Sequence, residues 1–173
     1  MLLKIITYPD KLLKSLSKEV TAFDSQLHTL LDDMFETMME SNGIGLAAIQ
    51  VAHPIQALIL CIPDEEGNQL KENTLEIINP VIHNPQGTIT YQEGCLSVPG
   101  FYEDIERFES LTLHYHDRHG QACVLEASEL LAIAVQHEMD HLAGKLFIEK
   151  LTYNRRKKFE KEYKRALKEK KQS

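Results

Sequence analysis

The segment QHEMDH, residues 136–141, restricts the fold more than any other part of the chain. It makes chemical sense only as a helix. In an α-helix, residues i and i+4 lie about 40° apart in projection, one above the other. His137 and His141 then point the same way, and their imidazoles can hold one metal ion. Glu138 projects about 100° from His137 and roughly 60° from His141. It stands beside the pair as a general base rather than as a third ligand. This is the H-E-x-x-H arrangement of two ligands and a base on one helix. A surface helix carrying two chance histidines is the competing reading, and the full pattern on a well-delimited helix outweighs it. The same face runs back through Leu130, Ile133 and Ala134, so the site opens onto an apolar wall.

The rest of the chain must cover such a helix. DSQLHTLLDDMFETMMESNG reads as a first helix, with Asp24 as its cap, Leu27, Leu31, Met34 and Met38 on one face, and Gly43 as its stop. ASELLAIAVQHEMDHLAG is the second, capped by Ser128 and ended by Gly144. The third starts at Thr152 or Asn154 and carries Phe159, Tyr163 and Leu167 on one stripe. Between the first two helices, IQALILCIP, EIINPVIHN and GTITYQ read as strands. LTLHYHD and QACVLEA form a hairpin around DRHG. Helices flank a run of strands rather than alternating with them. The expectation is therefore an α+β fold, mostly antiparallel strands around a central metal-binding helix, with helices at both ends. Neither repeats nor a linker divide the chain, so residues 1–173 are expected to form one catalytic domain.

A catalytic metal needs a third protein ligand and an open position. A histidine six residues after His141 would supply one pattern, but Phe147 stands there. Glu160 and Glu162 lie in a lysine-rich segment and suit i,i+4 ion pairs better. Upstream, EGCLS at 93–97 follows a strand, and Cys95 offers a thiolate, a strong ligand. Alone it would read as a buried free thiol. With the two histidines it completes a Cys-His-His set. GIGLAAIQ, residues 43–50, reads as a tight loop hugging a cleft. It is not a phosphate-binding pattern, and Gln50 gains interest as an amide donor near the metal.

These three motifs, in this order and spacing, resemble those of the peptide deformylase family, in the bacterial and organellar type that ends in a helix. The resemblance covers nearly the whole chain. It implies removal of the formyl group from the N-terminal formyl-methionine of new polypeptides, releasing formate. It implies one divalent metal per chain, Fe(II), replaceable by Ni, Co or Zn, on Cys95, His137 and His141. It makes Glu138 the acid/base and gives Gln50 and the Leu96 backbone N–H the developing oxyanion. Gly45 would line the substrate strand, with Gly43 beside it. Ile44, Leu130, Ile133 and Ala134 are the candidates for the methionine side-chain pocket, with ordinary core packing as their competing role. Two positions depart from the family pattern: Tyr102 stands near a place where many relatives carry arginine, and Ile49 where proline is frequent. Two other readings of the motifs are open. One is a different H-E-x-x-H amidase or peptidase; the other is a non-catalytic protein using the metal as a staple.

Charge adds a partner. Residues 150–173 hold 11 Lys/Arg against 3 Glu, within a chain of net charge −7. A basic helix on an acidic body suits a polyanion, or merely a solvated surface. With the family resemblance, the expectation is contact with ribosomal RNA, and catalysis on small peptides is expected not to need this segment. No run of 18 apolar residues exists and no membrane partner is expected. The N-terminus lacks secretory-signal features, and three cysteines do not make a disulfide framework. The expected compartment is the cytoplasm. His114 and His116 alternate along one strand and read as a solvated face rather than a second metal site. His28, His53, His83 and His119 show no paired pattern.

Overall fold

Strand β2, Ala57–Leu60, is apolar at every position and buried at every position. Ala57 and Ile59 face one way, Leu58 and Leu60 the other, because side chains alternate along a strand. The computed structural model, which describes residues 1–172, places a helix on each side. Helix α1, Ser25–Glu40, packs Leu27, Leu31, Met34 and Met38 against Ala57, Ile59 and Ile78. Helix α2, Glu129–Leu142, packs Ala132, Ala134 and Val135 against Leu58, Leu60 and Ile77. The sheet between them runs in the order β1 (Gly45–Ala47), β2, β3 (Leu75–Gln86), β6 (Ser110–His116), β7 (Ala122–Ser128), every neighbour antiparallel. Strands β4 (Ile89–Cys95) and β5 (Val98–Arg107) form a separate hairpin.

Local chemistry explains most boundaries. Asp24 accepts a hydrogen bond from the Leu27 N–H at 3.1 Å and starts α1. Asp117 accepts from the N–H groups of His119 and Gln121 and shapes the β6–β7 turn. Three details differ from the sequence reading. The residue in the left-handed region after α1 is Asn42, not Gly43. Gly43 instead lies under the Leu96 side chain: a Cβ there would stand 2.8 Å from Leu96 Cδ1. Ser128 precedes α2 but its side chain makes no capping bond; the Glu129 N–H donates instead to the Glu109 carbonyl. GIGLAAIQ is not a simple loop, since β1 begins at Gly45 and a 3-10 turn covers Ala48–Val51. Gly144 does end α2, at φ +74, and a Cβ there would stand 2.3 Å from the Lys14 carbonyl oxygen.

The third helix, α3, spans Tyr153–Gln172. Its first half is core. Phe159 and Tyr163 are buried with Val98, Ile105, Phe147 and Ile148, and their rings lie 5.2 Å from Phe101. The Tyr163 hydroxyl donates to the Tyr8 carbonyl at 2.7 Å. The first half of this helix is therefore part of the packed body, closing an aromatic cluster against the β4–β5 hairpin. None of the helices is long and apolar enough to cross a membrane among the described residues.

Candidate metal centre and cleft

Cys95 ends β4, and α2 presents His137 and His141 one turn apart. One donor atom from each lies within 4.8 Å of the other two. Cys95 Sγ and His141 Nε2 are 3.4 Å apart. Ligands at ordinary Zn–S and Zn–N bond lengths around a tetrahedral ion stand roughly 3.5 Å apart, so the three donors fit one first-row divalent metal. Burial presses both imidazoles toward the neutral form. At His137 the Cys95 sulfur and the Glu93 carboxylate outweigh that pressure, and its pKa stands well above the ordinary value. At His141 burial and the adjoining His137 charge act together, and its pKa falls well below it. A thiolate and two imidazoles drawn together in a buried place suit a cation in place of protons.

The ring of His137 is steered from behind. Its Nδ1 lies 2.8 Å from Glu93 Oε1, which leaves Nε2 for the site. Glu93 is in turn held by Arg107, whose Nε and Nη2 donate at 2.6 and 2.8 Å. Arg107 Nη1 donates to Asp140 at 2.8 Å. Burial alone would raise the Glu93 pKa; hydrogen bonds from Arg107 and His137 reverse the sign and hold it below the usual range. None of these three supports was assigned from sequence. Glu93 and Asp140 lie inside the quoted motifs, which was the available signal. Arg107 is an isolated arginine with none.

Glu138 is buried, and its Oε2 has no hydrogen-bond partner. Burial lifts its pKa to about 7, against the opposing pull of His137. Gly45 makes room for it, since a Cβ at 45 would lie 3.0 Å from Glu138 Oε1. Gln50 is fixed by its own carbonyl oxygen, which accepts from the Ala47 N–H at 2.9 Å. Its amide nitrogen then faces Ser97 Oγ at 3.0 Å and Cys95 Sγ at 3.5 Å. Leu96 and Ser97 form the turn between β4 and β5, and the Ser97 N–H points to Cys95 Sγ. Gly43, Ile44, Gly45, Gln50, Cys95, Leu96, Leu130, Ile133, Ala134, His137 and Glu138 all line one cavity of about 420 Å³. His141 is not on its wall. Tyr91, Val98, Phe101 and Tyr102 are among its other lining residues and, apart from the Tyr102 position, carried no sequence signal. His114 sits exposed beside His83, ring centroids 4.3 Å apart; no third donor joins them among the described residues.

Two imidazoles and a cysteine sulfur held together, with His137, Cys95 and the buried Glu138 carboxyl on the wall of a largely apolar cavity, describe a metal-dependent hydrolase. The comparisons narrow this. The family model for polypeptide deformylase matches residues 2–157. The peptide deformylase of Helicobacter pylori strain J99 is 58% identical over 170 residues, covering 98% of each chain. That of Wolinella succinogenes is 57% identical over 164 residues, covering 95% of this chain and 96% of its own. The crystal structure of a peptide deformylase from Legionella pneumophila superposes with a TM-score of 0.90 at 35% identity, covering 100% and 99%. The chain belongs to the peptide deformylase family, in the form with a C-terminal helix.

Proposed function

We propose that the cleft removes the formyl group from N-terminal formyl-methionine by hydrolysis, with Glu138 moving the proton. The observation that carries this is the buried Glu138 carboxyl, its Oε2 without a hydrogen-bond partner and its Oε1 3.9 Å from His137 Nε2, beside the Cys95–His137–His141 donor set on a cavity with apolar walls. A divalent metal on those three residues would polarise the formyl carbonyl and activate water. Glu138, with a pKa near 7, is suited both to accept a proton from the attacking water and to return it to the leaving amine. The Gln50 amide N–H and the Leu96 backbone N–H are the donors for the developing oxyanion. Ile44, Leu130, Ile133 and Ala134 form the apolar wall for the methionine side chain, with Gly43 and Gly45 giving the peptide backbone close passage.

The metal in this reading is Fe(II), one per chain, with Ni, Co or Zn able to replace it. Thiolate and imidazole suit all four, so the choice rests on the family. Residues 1–173 act as one catalytic domain in the cytoplasm, where nascent formylated chains arise. The basic face of α3 is the proposed contact to ribosomal RNA, supported by the charge of residues 150–173. The test of the reaction is formate release from formyl-Met-Ala-Ser by anaerobic, iron-loaded protein. Loss of release in both Glu138→Ala and Cys95→Ser is expected. No release from folded, metal-loaded wild type would reject the reading. Metal analysis of protein purified without oxygen would show one iron per chain, and a different resident metal would overturn that assignment.

A further inference from the structure

One wall of the cavity, at Gly43, Ile44 and Gly45, belongs to the start of an edge strand. Strand β1 covers only Gly45–Ala47 and pairs with β2 alone. The ladder breaks off as it reaches the wall. The Cys61 N–H still donates to the Ile44 carbonyl at 2.8 Å. In an antiparallel pair the Cys61 carbonyl would in turn accept from the Ile44 N–H. It takes a side chain instead. Gln69 Nε2 donates to the Cys61 carbonyl at 2.8 Å and to the Gly43 carbonyl at 2.9 Å. One carboxamide therefore ties Gly43 to the end of β2, where backbone pairing stops.

The placement of Gln69 is built in. The segment before it folds on itself. Asp64 Oδ1 accepts from the N–H groups of Glu66 and Asn68 at 2.9 and 2.8 Å, and the Asn68 carbonyl accepts from the Asp64 N–H at 2.9 Å. Asn68 and Leu70 are exposed, while Gln69 between them is half-buried. The Cys61 thiol donates to the Leu70 carbonyl at 3.4 Å and holds the next residue. Gly43 is thus gripped through its carbonyl by Gln69 and covered at its Cα by Leu96. The turn that carries Leu96 has supports of its own. The Tyr8 N–H donates to the Ser97 carbonyl at 2.7 Å, and the Gln50 amide to Ser97 Oγ at 3.0 Å. Loss of the Gln69 amide would loosen the wall and leave that turn in place.

We infer that Gln69 is a positioning residue for the reaction: it fixes the Gly43–Ile44 wall against β2, and so sets how tightly a peptide is held, without touching the reacting atoms. The inference rests on the hydrolase reading above. A loosened wall must be ordered afresh by each peptide that binds, which weakens binding and spares the chemical step. Losing a hydrogen-bond donor of this kind is worth about fivefold in affinity.

The experiment compares wild type, Gln69→Met and Gln69→Glu as full, metal-loaded chains releasing formate from formyl-Met-Ala-Ser. Gln69→Met keeps the length of the side chain and removes the donor. It is expected to raise KM by about fivefold with kcat within about twofold of wild type. Gln69→Glu, which turns a carboxylate toward two carbonyls, is expected to raise KM at least as much. Hydrogen exchange of the Cys61 amide, which reports its bond to Ile44, is expected to quicken in both variants, with the α2 amides unchanged. KM within about twofold of wild type in both variants would overturn the inference. So would a loss confined to kcat, or an unchanged Cys61 amide. No formate from wild type would overturn the hydrolase reading itself, and this inference with it.

Discussion

Replacing Arg107 by Met should loosen the metal centre from behind. Arg107 and Glu93 have side-chain exposures of only 2% and 4%, and two short hydrogen bonds join them. Removing one partner of a buried ion pair costs about 3–5 kcal/mol, because the other charge stays buried. Glu93 keeps its bond to His137 Nδ1, so the lower end, about 3 kcal/mol, is expected. For a chain of this size each kcal/mol shifts Tm by about 2–4 °C, giving a drop of roughly 6–12 °C. The same change should weaken metal binding by about 10–100-fold, since Glu93 would no longer be braced to orient His137. The assays are thermal unfolding of metal-loaded and chelated protein, and metal competition. Glu93→Gln combined with Arg107→Met should cost less than Arg107→Met alone, because no charge is stranded. The pair also has a pH signature. The Glu93 pKa is depressed on folding, so its contribution is present above the ordinary glutamate value of 4.5 and lost as pH falls below it. Arg107→Met should flatten that acid loss. A Tm within about 2 °C of wild type, with metal affinity unchanged, would refute the reasoning.

Three further predictions test other parts of the account. The acid limb of kcat/KM should fall below pH 7: Glu138 stands near 7 from burial, and a cation beside it favours the carboxylate; a limb above 7 would exclude it as the base. Gly144→Ala should destabilise by roughly 2 kcal/mol or more, from the left-handed backbone and the Lys14 carbonyl together; chemical denaturation reads this, and a neutral result would show that the α2 end relaxes freely. Phe159→Ala should cost about 3–5 kcal/mol and impair formate release, whereas Lys164→Glu with Lys168→Glu, both exposed, should spare release and weaken ribosome co-sedimentation. Co-sedimentation unaffected by the charge reversal would sink the RNA contact.

The site was partly legible because its chemistry is local in sequence. HEMDH puts two imidazoles and a carboxylate on one helix by periodicity alone, and Leu130, Ile133 and Ala134 share that helix face for the same reason. The first helix was legible from Asp24 and the Leu27-to-Met38 stripe. Positions set by packing were not. Gly43 reads as a helix stop, yet Leu96, from a turn more than 50 residues on, packs against its bare Cα side. The apolar stripe of the basic C-terminal helix was legible from Phe159, Tyr163 and Leu167, but not the surface it covers. Only the fold shows that Phe159 and Tyr163 close the aromatic cluster behind Phe101.

What the sequence alone determined is the set of groups that local geometry assembles: two histidines, their glutamate, the apolar face beside them and the order of helices and strands. Periodicity and turn chemistry act over a few residues, so they can be read along the chain. The tertiary structure decided the rest. It brought Cys95 within 3.4 Å of His141, 46 residues away. It set Gln50 against Ser97, buried Arg107 on Glu93 and Asp140, and laid Tyr102 on Gly94. Those pairings depend on strand register and on the docking of a hairpin against a helix. Burial then turned ordinary residues into a braced ligand and a base with a raised pKa.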